Sequence, residues 1–87
     1  MKKTNKLQPH TIINVYPDRK TDIEIEGCKT KIVDVIVNGG HISGFEVFAG
    51  YMFGIPVNQP ILEGNEHYDL CYEAAKNAKM FEIEKVA

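Results

Sequence analysis

Between Lys31 and Gly54 the chain gathers most of its branched and aromatic residues into two runs separated by Asn38-Gly39-Gly40. The first run, Ile32 to Val37, is β-branched except for Asp34 and too short for an ordinary helix, so it predicts a strand. Asn-Gly or Gly-Gly between apolar runs predicts a hairpin turn with positive φ at its central residues. On the return, His41 to Ala49 reads as a second strand, with Ile42, Glu46 and Phe48 on one face and Ser43, Phe45, Val47 and Ala49 on the other. Gly44 inside that strand predicts a bulge or a close backbone approach. A phosphate-cradling loop is the alternative for these glycines. It needs a following helix and a Lys-Ser or Lys-Thr pair, and neither is present.

The same alternation extends outward from this hairpin. Thr11 to Tyr16 is a short strand closed by the turn signal Pro17-Asp18. Asp22 to Glu26 alternates strictly, Ile23 and Ile25 inward and the three acids outward, and Gly27-Cys28-Lys29 is expected to turn the chain into the hairpin. Gly50 to Asn65 breaks the pattern: it is apolar, yet Gly54, Pro56, Pro60 and Gly64 predict an irregular loop. Such a loop either folds over the open end of the sheet as a lid or exposes an apolar patch of the kind that marks an interface.

Glu66 to Lys79 changes to helical periodicity. Asn65 is placed to cap it, with Glu66 and Asp69 at the positive end of the dipole and Lys76 and Lys79 at the negative end. At ~100° per residue, His67, Tyr68, Leu70, Cys71, Ala74, Ala75 and Ala78 form one arc, expected to face the sheet. Met80 to Val86 returns to alternation as a closing edge strand, its acids discouraging stray pairing. Phe81 also falls in the helical arc, leaving open a helix that runs past Lys79. The fold class this predicts is α+β: a single domain with an antiparallel meander of four to five strands (residues 11–49), one C-terminal helix on one face, and a short closing strand.

Composition narrows the functional classes. Eighty-seven residues form one domain that buries only about 60–65% of its unfolded surface, so self-association would add stability and a homodimer is expected. The chain is 44% hydrophobic and 25% charged with net charge −2, which disfavours a dedicated nucleic-acid binder. The basic residues cluster early, at Lys2, Lys3, Lys6, Arg19 and Lys20, and residues 1–9 are expected to be a flexible basic tail. An arm that contacts nucleic acid or an acidic partner is its alternative use. From His41 to Tyr72 the only charges are acidic. Two cysteines are too few for a disulfide framework, the start lacks a secretory apolar core, and no apolar run reaches membrane-spanning length. The expectation is a cytoplasmic protein with no membrane partner. Lysine outnumbers arginine nine to one, as an A/T-rich coding sequence would give, which suggests a low-G+C bacterium or its phage.

Candidate chemistry is sparse. His67 and Cys71 are one turn apart on the helix, and with Cys28 and His41 they supply the residue types of a tetrahedral zinc site. No C-x-x-C or H-x-x-x-H pair supports this, and the arc bearing Cys71 is the one assigned to the core, where cysteine packs as a small hydrophobe. A Cys-His nucleophile fails similarly, because Asp69, two residues from His67, cannot orient it. Glu24 with Glu26, and Glu82 with Glu84, read as solubilising charges. No metal, cofactor or catalytic residue is therefore assigned.

The function expected is that of a small non-enzymatic interaction protein of the regulator or inhibitor type, phage-borne in origin, that binds a macromolecular partner, most simply another protein. Its expected binding residues are Tyr51, Met52, Phe53 and Ile55 in the apolar loop, Tyr68 and Tyr72 on the helix shoulder, and the acids Glu63, Glu66 and Asp69. The alternative is a small-molecule or nucleotide-binding module with a pocket at a homodimer interface, its tyrosines stacking on a ring.

Overall fold

The computed structural model describes residues 11–85, apart from the side chains of Thr11 and Lys85. The basic segment expected to be a tail lies outside the described residues. Six strands and one helix follow in the order β1 (Thr11–Val15), β2 (Thr21–Ile25), β3 (Cys28–Asn38), β4 (His41–Met52), β5 (Ile55–Leu62), α1 (Tyr68–Asn77) and β6 (Phe81–Lys85). Strands β2-β3-β4-β5 form an antiparallel meander, and β1 pairs antiparallel with β6 in a separate small sheet. The architecture is thus α+β, with one helix after the meander and a closing strand after the helix.

Three tight turns drive the meander, and all carry positive φ at both central residues: Glu26-Gly27 (52° and 82°), Gly39-Gly40 (64° and 83°) and Phe53-Gly54 (53° and 78°). This handedness matches the right-handed twist of the strands it joins. The Gly39-Gly40 turn is where the sequence places it. The first turn differs: Glu26 takes the left-handed conformation, so the reversal occurs before Cys28, and Cys28 and Lys29 open β3 instead of turning the chain.

The largest departure concerns Gly50 to Asn65, which is not an irregular loop. Gly54 sits in the turn and Gly64 beyond the strand, so neither interrupts β5. Pro56 and Pro60 are an even number apart and present the same side of an edge strand, the setting in which a missing N–H is tolerated. Nor is the segment a lid: Ile61 alone is buried, Val57 is half-buried, and the rest of β5 is exposed.

The core comprises Ile23, Ile32, Val35, Ile42, Phe45, Val47 and Ile61 from the sheet, Cys71 and Ala75 from α1, and Met80 and Phe81. Ile42 joins Phe45 and Val47 in this core although simple alternation puts it on the opposite face. The register jumps from Ile36↔Gly44 to Val37↔Ile42, and the extra residue, Ser43, reverses the parity of everything before it. Beside this bulge Gly44 has no room for a side chain: a Cβ there would lie 2.6 Å from Leu62 Cδ2 and 2.7 Å from the Ile61 carbonyl oxygen.

Helix α1 is shorter than its periodicity suggests. Asn65 does not cap it directly. Its Oδ1 accepts from the His67 N–H (2.8 Å) and its carbonyl from the Tyr68 N–H (3.0 Å), which organises the turn before the helix. The other end stops at Lys79, whose φ is 58°. The Met80 N–H reaches the Ala75 carbonyl (2.9 Å) and the Lys79 N–H the Lys76 carbonyl (3.0 Å), a Schellman closure that sends Phe81 into β6. Leu70, expected inside the buried arc, is exposed, while Tyr72 packs against the core.

Candidate binding surface at the β4–β5 hairpin

Beyond Val47 the meander divides. The β3–β4 ladder ends at Ile32↔Val47, whereas β4 stays paired with β5 out to Met52↔Ile55. One bond spans the division, from Thr30 Oγ1 to the Phe48 carbonyl at 2.6 Å. The distal β4–β5 hairpin therefore leaves the body as a two-stranded finger, and the molecule is elongated, 53 × 25 × 23 Å.

The finger is uncharged, because no Asp, Glu, Lys or Arg occurs from Val47 to Leu62. Its apex brings together four of the residues singled out from the sequence: Tyr51 (72% exposed), Met52 (60%), Phe53 (96%) and Ile55 (66%). Met52 and Ile55 face each other across the turn, as do Tyr51 and Pro56, so apolar side chains occupy both faces of the apex. Phe53 sits in the left-handed region, where a bulky side chain is a genuine outlier. Contiguous exposed apolar surface on a strained turn is characteristic of a contact site.

The remaining expected binding residues lie elsewhere. Tyr68 and Tyr72 are half-buried on α1, with Phe45 5.6 Å and 6.3 Å from their respective ring centroids. Tyr72 also meets Phe81 at 5.2 Å, and the Tyr68 hydroxyl donates to the Ile42 carbonyl at 2.6 Å. These rings are engaged in packing. Burial, then the charge of Glu63, pushes the Tyr68 phenol above its ordinary value. Glu63 and Glu66 flank the connection into α1, Asp69 is exposed in its first turn, and none of the three adjoins the apex.

Cys28, His41, His67 and Cys71 do not converge. Cys71 is fully buried, which raises its thiol pKa, while Cys28 is exposed at the start of β3. His41 Nε2 lies 3.0 Å from Glu63 Oε1, and His67 Nε2 lies 2.9 Å from Glu26 Oε2 and 3.6 Å from Glu66 Oε2. Among the described residues, Glu26, Glu66 and His67 form a group whose donor atoms all lie within 4.8 Å of one another, with both carboxylates exposed and His67 half-buried, and neither cysteine belongs to it. Cys71 and His67 share no hollow.

Pattern reading missed a groove beside the finger. It is an open trough of about 860 Å³, lined by Val33, Phe48, Tyr51 and Pro56 and by charges of both signs, Lys20, Lys29 and Lys31 with Asp22 and Glu24. Phe48 and Tyr51 meet edge to face at 5.2 Å. The groove exists because β5 extends the sheet and β3 parts from β4, and neither event has a signature in local periodicity.

Comparison of the chain with protein-family models, with curated proteins and with solved structures gives no match in any of the three. Among the described residues no helix is long and apolar enough to cross a membrane.

Proposed function

We infer that this chain is a small non-enzymatic interaction module that binds a protein partner, as a regulator or inhibitor does, through the apex of its β4–β5 hairpin. The observation that carries this reading is the exposure of Tyr51, Met52, Phe53 and Ile55 on both faces of an uncharged finger. An apex apolar on every side gains most from being enveloped, and so fits insertion into a cleft. Burying a large apolar side chain is worth about 1.5–3 kcal/mol, enough for one or two such residues to dominate an interface. A protein cleft suits the finger better than a bilayer does. The outer edges of β4 and β5 carry unpaired backbone groups near the apex, and hydrocarbon offers them no hydrogen bonds. Tyr51 supplies the one titratable side chain at the apex, which favours contact over catalysis. The lysine bias fits a phage-borne or bacterial setting.

The test is a photo-crosslinking residue placed at position 53, compared with one at the exposed Lys76 on α1, in lysate of the source organism. The expected result is a discrete protein adduct from position 53 and none from 76. Equal labelling from both sites would remove the apex from the interface. The alternative, a small-ligand module, draws on the 860 Å³ groove, whose volume lies within the range of small-molecule sites. A ligand at ~100 times its dissociation constant would raise stability by about 2.7 kcal/mol, so a thermal-shift panel of nucleotides and metabolites separates the two.

A further inference from the structure

Among the described residues the meander leaves several stretches of strand edge without a partner strand, and they are unequal: β3 beyond Ile32, unpaired on its β2 side, carries Asp34. The outer edge of β2 carries Asp22 and Glu24, and that of β5 carries Pro56 and Pro60; charges and prolines on an edge both discourage an added strand. A further stretch lies inside the meander, on the β3 side of β4 from Phe48 to Met52, where no strand pairs with β4 once the ladder has ended at Val47 and only the Phe48 carbonyl is met, by Thr30 Oγ1. Its residues, Phe-Ala-Gly-Tyr-Met, include neither a charge nor a proline. Backbone groups lacking partners along an unguarded edge are a template for one more strand.

What borders this edge specifies the occupant. The groove begins at the edge and offers an apolar floor of Val33, Phe48, Tyr51 and Pro56, the spacing of a strand's alternate side chains being suited to such a trough. Lys31 is held by Asp22 at 2.9 Å, but Lys20 and Lys29 have no carboxylate within ion-pair distance among the described residues. Glu24 lines the same groove opposite Lys29, so with Lys31 matched by Asp22 the lining keeps one net positive charge, which is complementary to a single acidic side chain on whatever lies there.

We propose that the cleft between β3 and the distal half of β4 is a strand-addition site. It takes an extended polypeptide segment that pairs with the free β4 edge, places alternate apolar side chains in the groove and sets a carboxylate against Lys29 and Lys20. This rests on the reading that the partner is a protein, and it adds the chemistry of the segment that the partner must present. The apex and the edge then form one surface: the finger enters the partner while an extended segment of the partner lies along the finger's root.

The experiment is a ¹⁵N NMR titration of the full chain with a capped hexapeptide of alternating valine and threonine in which one threonine is replaced by glutamate. The expected result is amide shifts concentrated at Lys29, Thr30 and Phe48–Met52. Binding should weaken about two- to fivefold with Lys29→Gln or with a glutamine peptide, the worth of one exposed ion pair. No shift at millimolar peptide, or shifts centred on the outer edges of β2 or β5, overturns the proposal. Shifts of the same amides on concentrating the chain without peptide, with a doubled mass, overturn it in favour of a second copy. Shifts with a nucleotide but not the peptide overturn it in favour of a small ligand. Phe53→Asp should leave the titration unchanged, because Phe53 does not line the cleft. Failure of the apex cross-link with the titration intact therefore removes only the apex reading, and the reverse outcome removes only the edge.

Discussion

Phe53 occupies a conformation for which glycine or asparagine is the ordinary choice, and it does so with its side chain 96% exposed. Neither local stability nor core packing accounts for a phenylalanine there. Phe53→Gly is expected to stabilise the chain by about 0.5–1 kcal/mol, the left-handed penalty less glycine's added unfolded-state entropy, while abolishing the position-53 contact. Chemical denaturation and capture assays check the two effects separately. Gly44 is the opposite case, because Gly44→Ala forces a Cβ against the Ile61 carbonyl and Leu62, and should cost about 1–3 kcal/mol. At alkaline pH, two groups act together. Burial holds the Cys71 thiol above its ordinary 9.0, and burial followed by nearby charges holds the Tyr68 phenol above 10.0. Each group keeps its proton to higher pH in the folded chain than in the unfolded one. The stability they contribute is fully present below about pH 9 and is lost as pH rises through their folded values. Denaturation midpoints measured across pH 8–11 should fall above pH 9, and Cys71→Ala should flatten the early part of that fall despite a lower baseline.

At the scale of elements, what the sequence reveals depends on whether the deciding signal is local. The β3–β4 hairpin was legible because Asn38-Gly39-Gly40 lies between two β-branched and aromatic runs, and the closing strand because Phe81 and Ile83 alternate with acids. Strand β5 was not, because Pro56, Pro60 and Gly54 look the same whether they break a strand or lie on its free edge and in its turn. The face of Ile42 was hidden by the bulge at Ser43, which only the partner strand can disclose. The apolar character of the segment points to Tyr51, Met52, Phe53 and Ile55, but their exposure and their grouping on a projecting turn depend on β5. Tyr68 and Tyr72 stand one turn apart on the helix shoulder, as a stacking pair would, but their packing on Phe45 separates them from the apex. The end of α1 was equally illegible, since nothing in Lys79 announces a left-handed residue. Lys79→Gly should stabilise the helix end by about 0.5–1 kcal/mol if the Schellman closure is as described, and thermal melting would register it.

Over the whole molecule, the sheet has a packed half and a free half. Helix α1, the β1–β6 pair and the proximal meander enclose the core, and they leave the distal β4–β5 hairpin to extend beyond it, uncharged and with its apex exposed. A small domain that can bury little surface gains nothing for its own stability from such a finger, so its apolar apex is best explained by what it meets. The most direct measurement is the affinity of the protein captured at position 53 for the wild-type chain and for Phe53→Asp, which tolerates the same backbone conformation. If the apex is the anchor, binding should weaken at least about thirtyfold, the loss typical of an interface hot spot, with the melting temperature unchanged or raised. Equal affinity for the two chains, with the fold intact, would contradict the account.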